Sequence, residues 1–155
     1  MPYLQKITFH EDYKLKTEHL QVLHKFPCLE SVEFIDCIYI RDLTELRHCT
    51  SLRSLSLKCD VWHHLSRDIV QVKLPECKKL TNIAIDLQDV SIAELVKLKN
   101  LQSITLYNWQ LEQDIEMLST LKSLKEICFE RAKDNPFVPD LFSFQNYIHL
   151  KLKHH

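Results

Sequence analysis

Between Ile92 and Leu106 apolar residues fall at Ile92, Leu95, Leu98, Leu101, Ile104 and Leu106, so steps of three close on a step of two. Steps of three keep side chains on one face of a short helix and of the chain leading out of it, whereas alternation puts them on one face of a strand. The stretch therefore predicts a helix and a strand that share one apolar edge. So small a unit cannot bury that edge alone and must stack on copies of itself.

The copies are present. An anchor followed by apolar residues three and five positions later occurs at Leu4, Leu29, Leu52, Leu80, Leu101, Leu124 and Tyr147, with intervals of 25, 23, 28, 21, 23 and 23 residues. The strand pairs are Ile7 and Phe9, Val32 and Phe34, Leu55 and Leu57, Ile83 and Ile85, Ile104 and Leu106, Ile127 and Phe129, and Leu150 and Leu152. Upstream, the positions nine, six and three before the anchor are apolar in nearly every unit, as in Leu20, Leu23 and Phe26 or Leu43, Leu46 and Cys49, with Gln71 the exception. Burying one large apolar side chain is worth about 1.5–3 kcal/mol, and several per unit, shared between neighbours, suffice to hold a stack together.

Local signals fit this register. Ser91-Ile92-Ala93-Glu94 has the form of a capping box, Asp42 with Glu45 is a similar arrangement, and Thr17 and Asp114 stand where N-caps are wanted. Helices of about two to three turns are expected on the side opposite the strands. Pro27, Pro75, Pro136 and Pro139 lie at or beside connections, where a missing N–H does least harm. Two units depart from the pattern. The third is the longest, with Trp62, His63, His64, Arg67 and Asp68 in its extra length, and the sixth has Asp134-Asn135-Pro136, a turn signal, where a helix should lie.

Composition then removes whole classes of function. The 155 residues include no glycine, which excludes the phosphate-cradling loops, the nucleophile elbow and the EF-hand turn, all of which need glycine for close backbone approach or positive φ. The net charge is −1 with both signs interleaved. It gives no global pull toward nucleic acid or an anionic membrane, although a local patch is compatible with it. No apolar run is long enough to span a membrane, and Met1–Lys16 lacks the continuous apolar core of a signal peptide.

The repeated pattern resembles the leucine-rich-repeat superfamily over Leu4–Leu152. The resemblance implies an α/β fold, a curved solenoid of about seven repeats with a parallel sheet on its concave face and short helices on its convex face, whose usual role is to bind another protein. Residues 1–153 are expected to form one domain, and His154-His155 reads as a tag remnant. Six cysteines lie at 28, 37, 49, 59, 77 and 128, without a C-x-x-C pair and without the disulfide-rich caps of secreted repeats. That usage fits a reducing cytoplasm or nucleus. Within the superfamily, Phe26–Cys37 is most similar to the cysteine-containing repeats of F-box substrate receptors. The inward Asn or Cys of that subfamily, eight residues past the anchor, is met by Cys37 but not by Asp12, Asp60, Gln88, Trp109 or Ala132.

In-register parallel strands would align the intervening residues as columns on the concave face. Small and polar residues fill the middle, while Glu33, Ile35, Lys58, Asp86, Tyr107 and Glu130 are the candidate contacts on the face and its edge, with Asn108 and Trp109 just beyond. Tyr107, Trp109 and Ile35 are the favoured anchors, since an exposed aromatic supplies contact area at low entropy cost; Trp109 has the alternative of packing inside the turn. Trp62, His63 and His64 are candidate loop contacts, with Trp62 alternatively in the core. Cys59 and His63 give only two local ligands, too few for zinc. Cys49 and Cys77 fall on core positions, and Cys128 is expected on the open sheet without a facing His, so neither metal, cofactor nor catalytic chemistry is called for. The expectation is a non-enzymatic adaptor or scaffold that binds a protein partner through its concave sheet. The alternatives are the substrate-recognition part of a ubiquitin ligase and a structural module that dimerises through uncapped terminal strands.

Overall fold

The computed structural model describes residues 1–10, 15–37, 39–58, 71–86, 90–107, 115–131 and 149–154, with the backbone alone for 115, 116, 131 and 149–154. Each strand begins two residues after its anchor. The strands are β1 (Lys6–His10), β2 (Ser31–Ile35), β3 (Ser54–Lys58), β4 (Asn82–Asp86), β5 (Ser103–Tyr107), β6 (Glu126–Arg131) and β7 (His149–His154). They form one parallel sheet in chain order. Pairing is in the register that the repeat demands: Ile7 faces Val32, Leu55 faces Ile83, Ile104 faces Ile127 and Ile127 faces Leu150.

One backbone device repeats from coil to coil. The carbonyl one residue past each anchor accepts two N–H donors from the next coil, Glu30 and Ser31 on Gln5, Arg53 and Ser54 on Glu30, and so on to Lys125 and Glu126 on Gln102. A carbonyl has two lone pairs, so both donors are satisfied without a side chain. This explains why the residue at that position is free to vary.

The connecting elements include the short helices that the pattern predicts. They are 3-10 segments at Thr17–Lys25, Thr44–His48 and Ile115–Thr120, and a single α-helical turn, α1, at Ile92–Leu95. The reason lies in the period of the pattern. Apolar residues at steps of three match the three residues per turn of a 3-10 helix better than the 3.6 of an α-helix. The same residues carry the bonds: Cys49 N–H donates to the Leu46 carbonyl at 2.9 Å and Leu52 N–H to the Cys49 carbonyl at 3.0 Å. Leu98 on Leu95, Leu101 on Leu98, Leu121 on Leu118 and Leu124 on Leu121 repeat this.

The caps are redistributed accordingly. Ser91 Oγ accepts the Glu94 N–H at 3.2 Å, as its capping box predicts. The Glu94 carboxylate, however, accepts from Leu74 N–H of the preceding coil and pairs with Lys97. Asp42 accepts from both the N–H and the hydroxyl of Thr44, at 2.9 and 2.6 Å, ahead of the turn. Thr17 is not an N-cap; its hydroxyl donates to the Asp42 carbonyl of the next coil at 2.9 Å. Asp114 and the Asp134-Asn135-Pro136 turn lie outside the described residues.

The shared core runs the length of the stack, with Leu29, Leu52, Leu80 and Leu101 on the anchor column and Leu46, Leu95 and Leu118 on the helical side, all essentially inaccessible. Phe9 and Phe34, opposite each other in β1 and β2, stack with ring centroids 5.2 Å apart. Leu15, Ile40, Val72 and Val90 also enter the core, between strand and turn. In a chain without glycine, Asp36 adopts the left-handed backbone conformation at the end of β2, with φ 55°, a region that Asp tolerates better than most residues. Its N–H donates to the Lys58 carbonyl at 2.9 Å, tying the bend to β3.

Candidate binding face

The even-numbered steps along each strand put the second, fourth and sixth residues past the anchor on the sheet face away from the 3-10 segments. In the middle of that face stand Ser31, Ser54, Ser56, Ala84, Ser103 and Thr105, all half-buried. Short side chains there leave the sheet close to a partner's backbone, and bulk is concentrated at the C-terminal ends of the strands.

At the C-terminal ends of the strands the register brings the expected residues into one row. Ile35 lies opposite Lys58, and Tyr107 lies between Asp86 and Glu130. The Lys58 ammonium reaches from β3 past β4 to sit 5.8 Å from the Tyr107 ring centroid on β5. A cation over an aromatic face is attracted by the ring quadrupole, by about 0.5–1 kcal/mol at an accessible site. Ile35, Lys58, Tyr107 and Glu130 are each half-buried, anchored on the sheet yet still presenting surface.

Asp86 corrects the expectation. It is buried, with 4% of its surface accessible. Its carbonyl accepts from Val90 N–H at 3.2 Å, and the residue pairs with Tyr107 in the sheet. Cys128 is a second correction: it is 5% accessible rather than open to solvent on the sheet. It lies opposite Thr105 in a sheet whose backbone continues to β7.

At the other end of the sheet Glu33 is engaged within the protein. Its carboxylate meets Lys6 Nζ at 2.9 Å and accepts from the Thr8 hydroxyl at 3.3 Å. The Lys6 hydrogen bond is the main cause holding its carboxyl below the ordinary range, against the opposing effect of burial. Lys6 and Thr8 were not singled out from sequence. Thr8 lies directly opposite Glu33 and Lys6 lies diagonal to it across the paired strands, and that relation is the signal that finds them. Ser103 Oγ donates to Glu126 at 3.4 Å in the same way. Asn108, Trp109, Trp62, His63 and His64 lie outside the described residues.

Cys49 and Cys77 lie in the core. Burial pushes the Cys77 thiol up to about 12, with the adjacent Cys49 adding to the shift, and it raises Cys49 as well. Cys77 Sγ donates to the Leu46 carbonyl at 3.2 Å. Cys37 Sγ, half-buried, points at the Phe9 and Ile35 carbonyls at 3.6 and 3.5 Å. Among the described residues no three His, Cys, Asp or Glu side chains converge as a metal site, and no helix is long and apolar enough to cross a membrane.

Parallel strands laid down in chain order, joined by short helical turns and stacked coil on coil around a continuous apolar core, define a leucine-rich-repeat solenoid. Among solved structures the chain is similar to internalin C2 of Listeria monocytogenes, at 16% identity over 96% of this chain and 73% of that one, with a TM-score of 0.46. No family model matches the sequence, and no curated protein matches it.

Proposed function

We propose that the chain is a non-enzymatic protein-interaction module that binds its partner across the open face of the sheet, with Ile35, Lys58, Tyr107 and Glu130 as the contact row. The observation that carries this reading is the Lys58–Tyr107 pair beside half-buried Ile35, on strands whose register fixes their separation. A rigid sheet presents these side chains with little ordering cost on binding, and an aromatic anchor ringed by polar groups is the usual make-up of an interface centre. Glu33 contributes shape through its pair with Lys6 more than free charge. Asn108, Trp109, Trp62, His63 and His64 extend the proposed surface at the level of sequence.

A reducing cytoplasm or nucleus suits the molecule, because Cys28, Cys49 and Cys77 are free thiols. The narrower role as a ubiquitin-ligase receptor has only the Phe26–Cys37 resemblance behind it. A structural role through β1 has a specific observation in its favour: Ile7 and Phe9 are half-buried, whereas Val32 and Phe34 one coil further in are fully covered.

The test is affinity capture with the immobilised chain and with Tyr107→Ala and Ile35→Ala variants whose circular dichroism matches the parent. A protein retained by the parent and lost from both variants is expected. Retention of that same protein by both folded variants refutes the open-face reading. Light scattering on the free chain tests the structural role, which requires a dimer that Phe9→Lys dissociates.

A further inference from the structure

On the opposite rim of the sheet, just before the strands, each coil closes with a tight turn whose ends are the residue three before the anchor and the anchor itself. The anchor N–H donates back across it, at 3.1 Å for Leu29, 3.0 Å for Leu52, 3.2 Å for Leu80 and 3.1 Å for Leu101 and Leu124. The first central residue of these stacked turns is Pro27, then Thr50, then Lys78, Lys99 and Lys122. Three successive coils thus present lysine at one equivalent position, spaced by the strand separation of about 4.8 Å. The stack is pinned, since Asn100 Nδ2 donates to the Lys78 carbonyl at 2.8 Å and Ser51 Oγ to the Pro27 carbonyl at 2.7 Å.

The charge asymmetry is large. From five residues before to one residue after the anchors at Leu29, Leu52, Leu80, Leu101 and Leu124 there are nine Lys or Arg against two Glu, in a chain with 20 and 21 overall. Arg53 pairs with Glu30 and Lys97 with Glu94. Lys78, Lys79, Lys99 and Lys122 are exposed and form no ion pair among the described residues; within these turns Glu76 is the neighbouring acid. Like charges held this close repel, and a partner that neutralises them is favoured by the full complementarity.

We propose that this ridge docks an acidic α-helix of a partner protein, with carboxylates at successive i, i+4 and i+8 positions seated over Lys78, Lys99 and Lys122. The match is one of spacing: i, i+4 side chains on a helix stand about 5–6 Å apart, close to the rise from coil to coil. The unpaired groups are ammonium point charges rather than guanidinium forks, and the three turns that bear Lys78, Lys99 and Lys122 carry no aromatic side chain on which a base could stack, which favours carboxylates over nucleic acid. This surface is separate from the open face and does not depend on it.

Fluorescence anisotropy with a labelled helical peptide bearing Glu at every fourth position, its Gln counterpart, duplex DNA and phosphatidylserine vesicles tests the assignment. The Glu peptide is expected to bind, more tightly at low salt than at high, and the Gln peptide to fail. The combined Lys78→Glu, Lys99→Glu and Lys122→Glu variant, with unchanged circular dichroism and melting, is expected to lose at least about tenfold in affinity. Lys→Gln at the same three positions should lose less, and Tyr107→Ala nothing. Equal binding of the Gln peptide, full affinity in the charge-reversed variant, or tighter binding of DNA or vesicles than of the Glu peptide overturns the proposal.

Discussion

The Lys58 ammonium on β3 lies over the Tyr107 ring on β5, 5.8 Å from its centroid, across the strand that separates them. Two residues 49 positions apart in sequence are thereby joined by a side chain long enough to pass over β4.

Removing the cation while keeping the length of the side chain tests this contact. Lys58→Met is expected to destabilise the chain by about 0.5–1 kcal/mol, seen as a fall in melting temperature of about 2–3 °C. Tyr107→Leu should cost a similar amount beyond its lost area, and in a double-mutant cycle the two losses should not add. Strict additivity would show that the ring and the ammonium do not interact.

Ile104 and Ser103 are adjacent in β5 but point to opposite faces, the first fully buried and the second half-buried. Ile104→Asp places an unpaired charge in the core and should cost more than about 4 kcal/mol. Ser103→Asp should fold, with a penalty of about 0.5 kcal/mol because Ser103 Oγ donates to Glu126 and the new carboxylate faces a like charge. Denaturant titration of both variants checks the register directly.

Acid sensitivity should trace to Glu33 and Asp42. Hydrogen bonds from Lys6 and from Thr44 respectively hold their carboxyls below the ordinary values of 4.5 and 3.8. A carboxyl with a depressed folded pKa contributes stability that is present above its unfolded pKa and is lost as pH falls through the folded one. Stability of the parent should therefore decline as pH drops below the ordinary values, and Glu33→Gln combined with Asp42→Asn should flatten that limb. An unchanged acid limb in the double variant would contradict the assignment.

Thiol reactivity should divide by depth. Cys28 is exposed and should alkylate readily at mildly alkaline pH, whereas Cys49 and Cys77 should react only after denaturation. Mass spectrometry after iodoacetamide treatment resolves the three. Because the folded pKa of Cys77, about 12, exceeds its ordinary 9.0, its contribution to stability is complete below pH 9 and lost as pH rises toward 12.

The strands were legible because their pattern is redundant. A one-residue slip would turn Ile83 and Ile85 outward together, so the alternation alone fixes face and register. The three-residue steps located the short helices, and the step itself is the 3-10 period carried by bonds such as Cys49 on Leu46. Leu15, Ile40 and Val90 escaped notice because they stand 14, 12 and 11 residues before their anchors, a spacing too variable to register as a repeat.

The candidate binding face was only half legible. Sequence placed Ile35, Lys58, Tyr107 and Glu130 in one row, because parallel in-register strands leave their side chains nowhere else to go. Sequence by itself determined the stacked coils, the sheet order and the apolar spine, since these follow from local periodicity repeated along the chain. Tertiary structure alone decided that Asp86 and Cys128 are covered, that Lys6 engages Glu33 and that Lys58 reaches Tyr107. Each of these depends on what a neighbouring coil places beside the residue, and no window along the chain contains that neighbour.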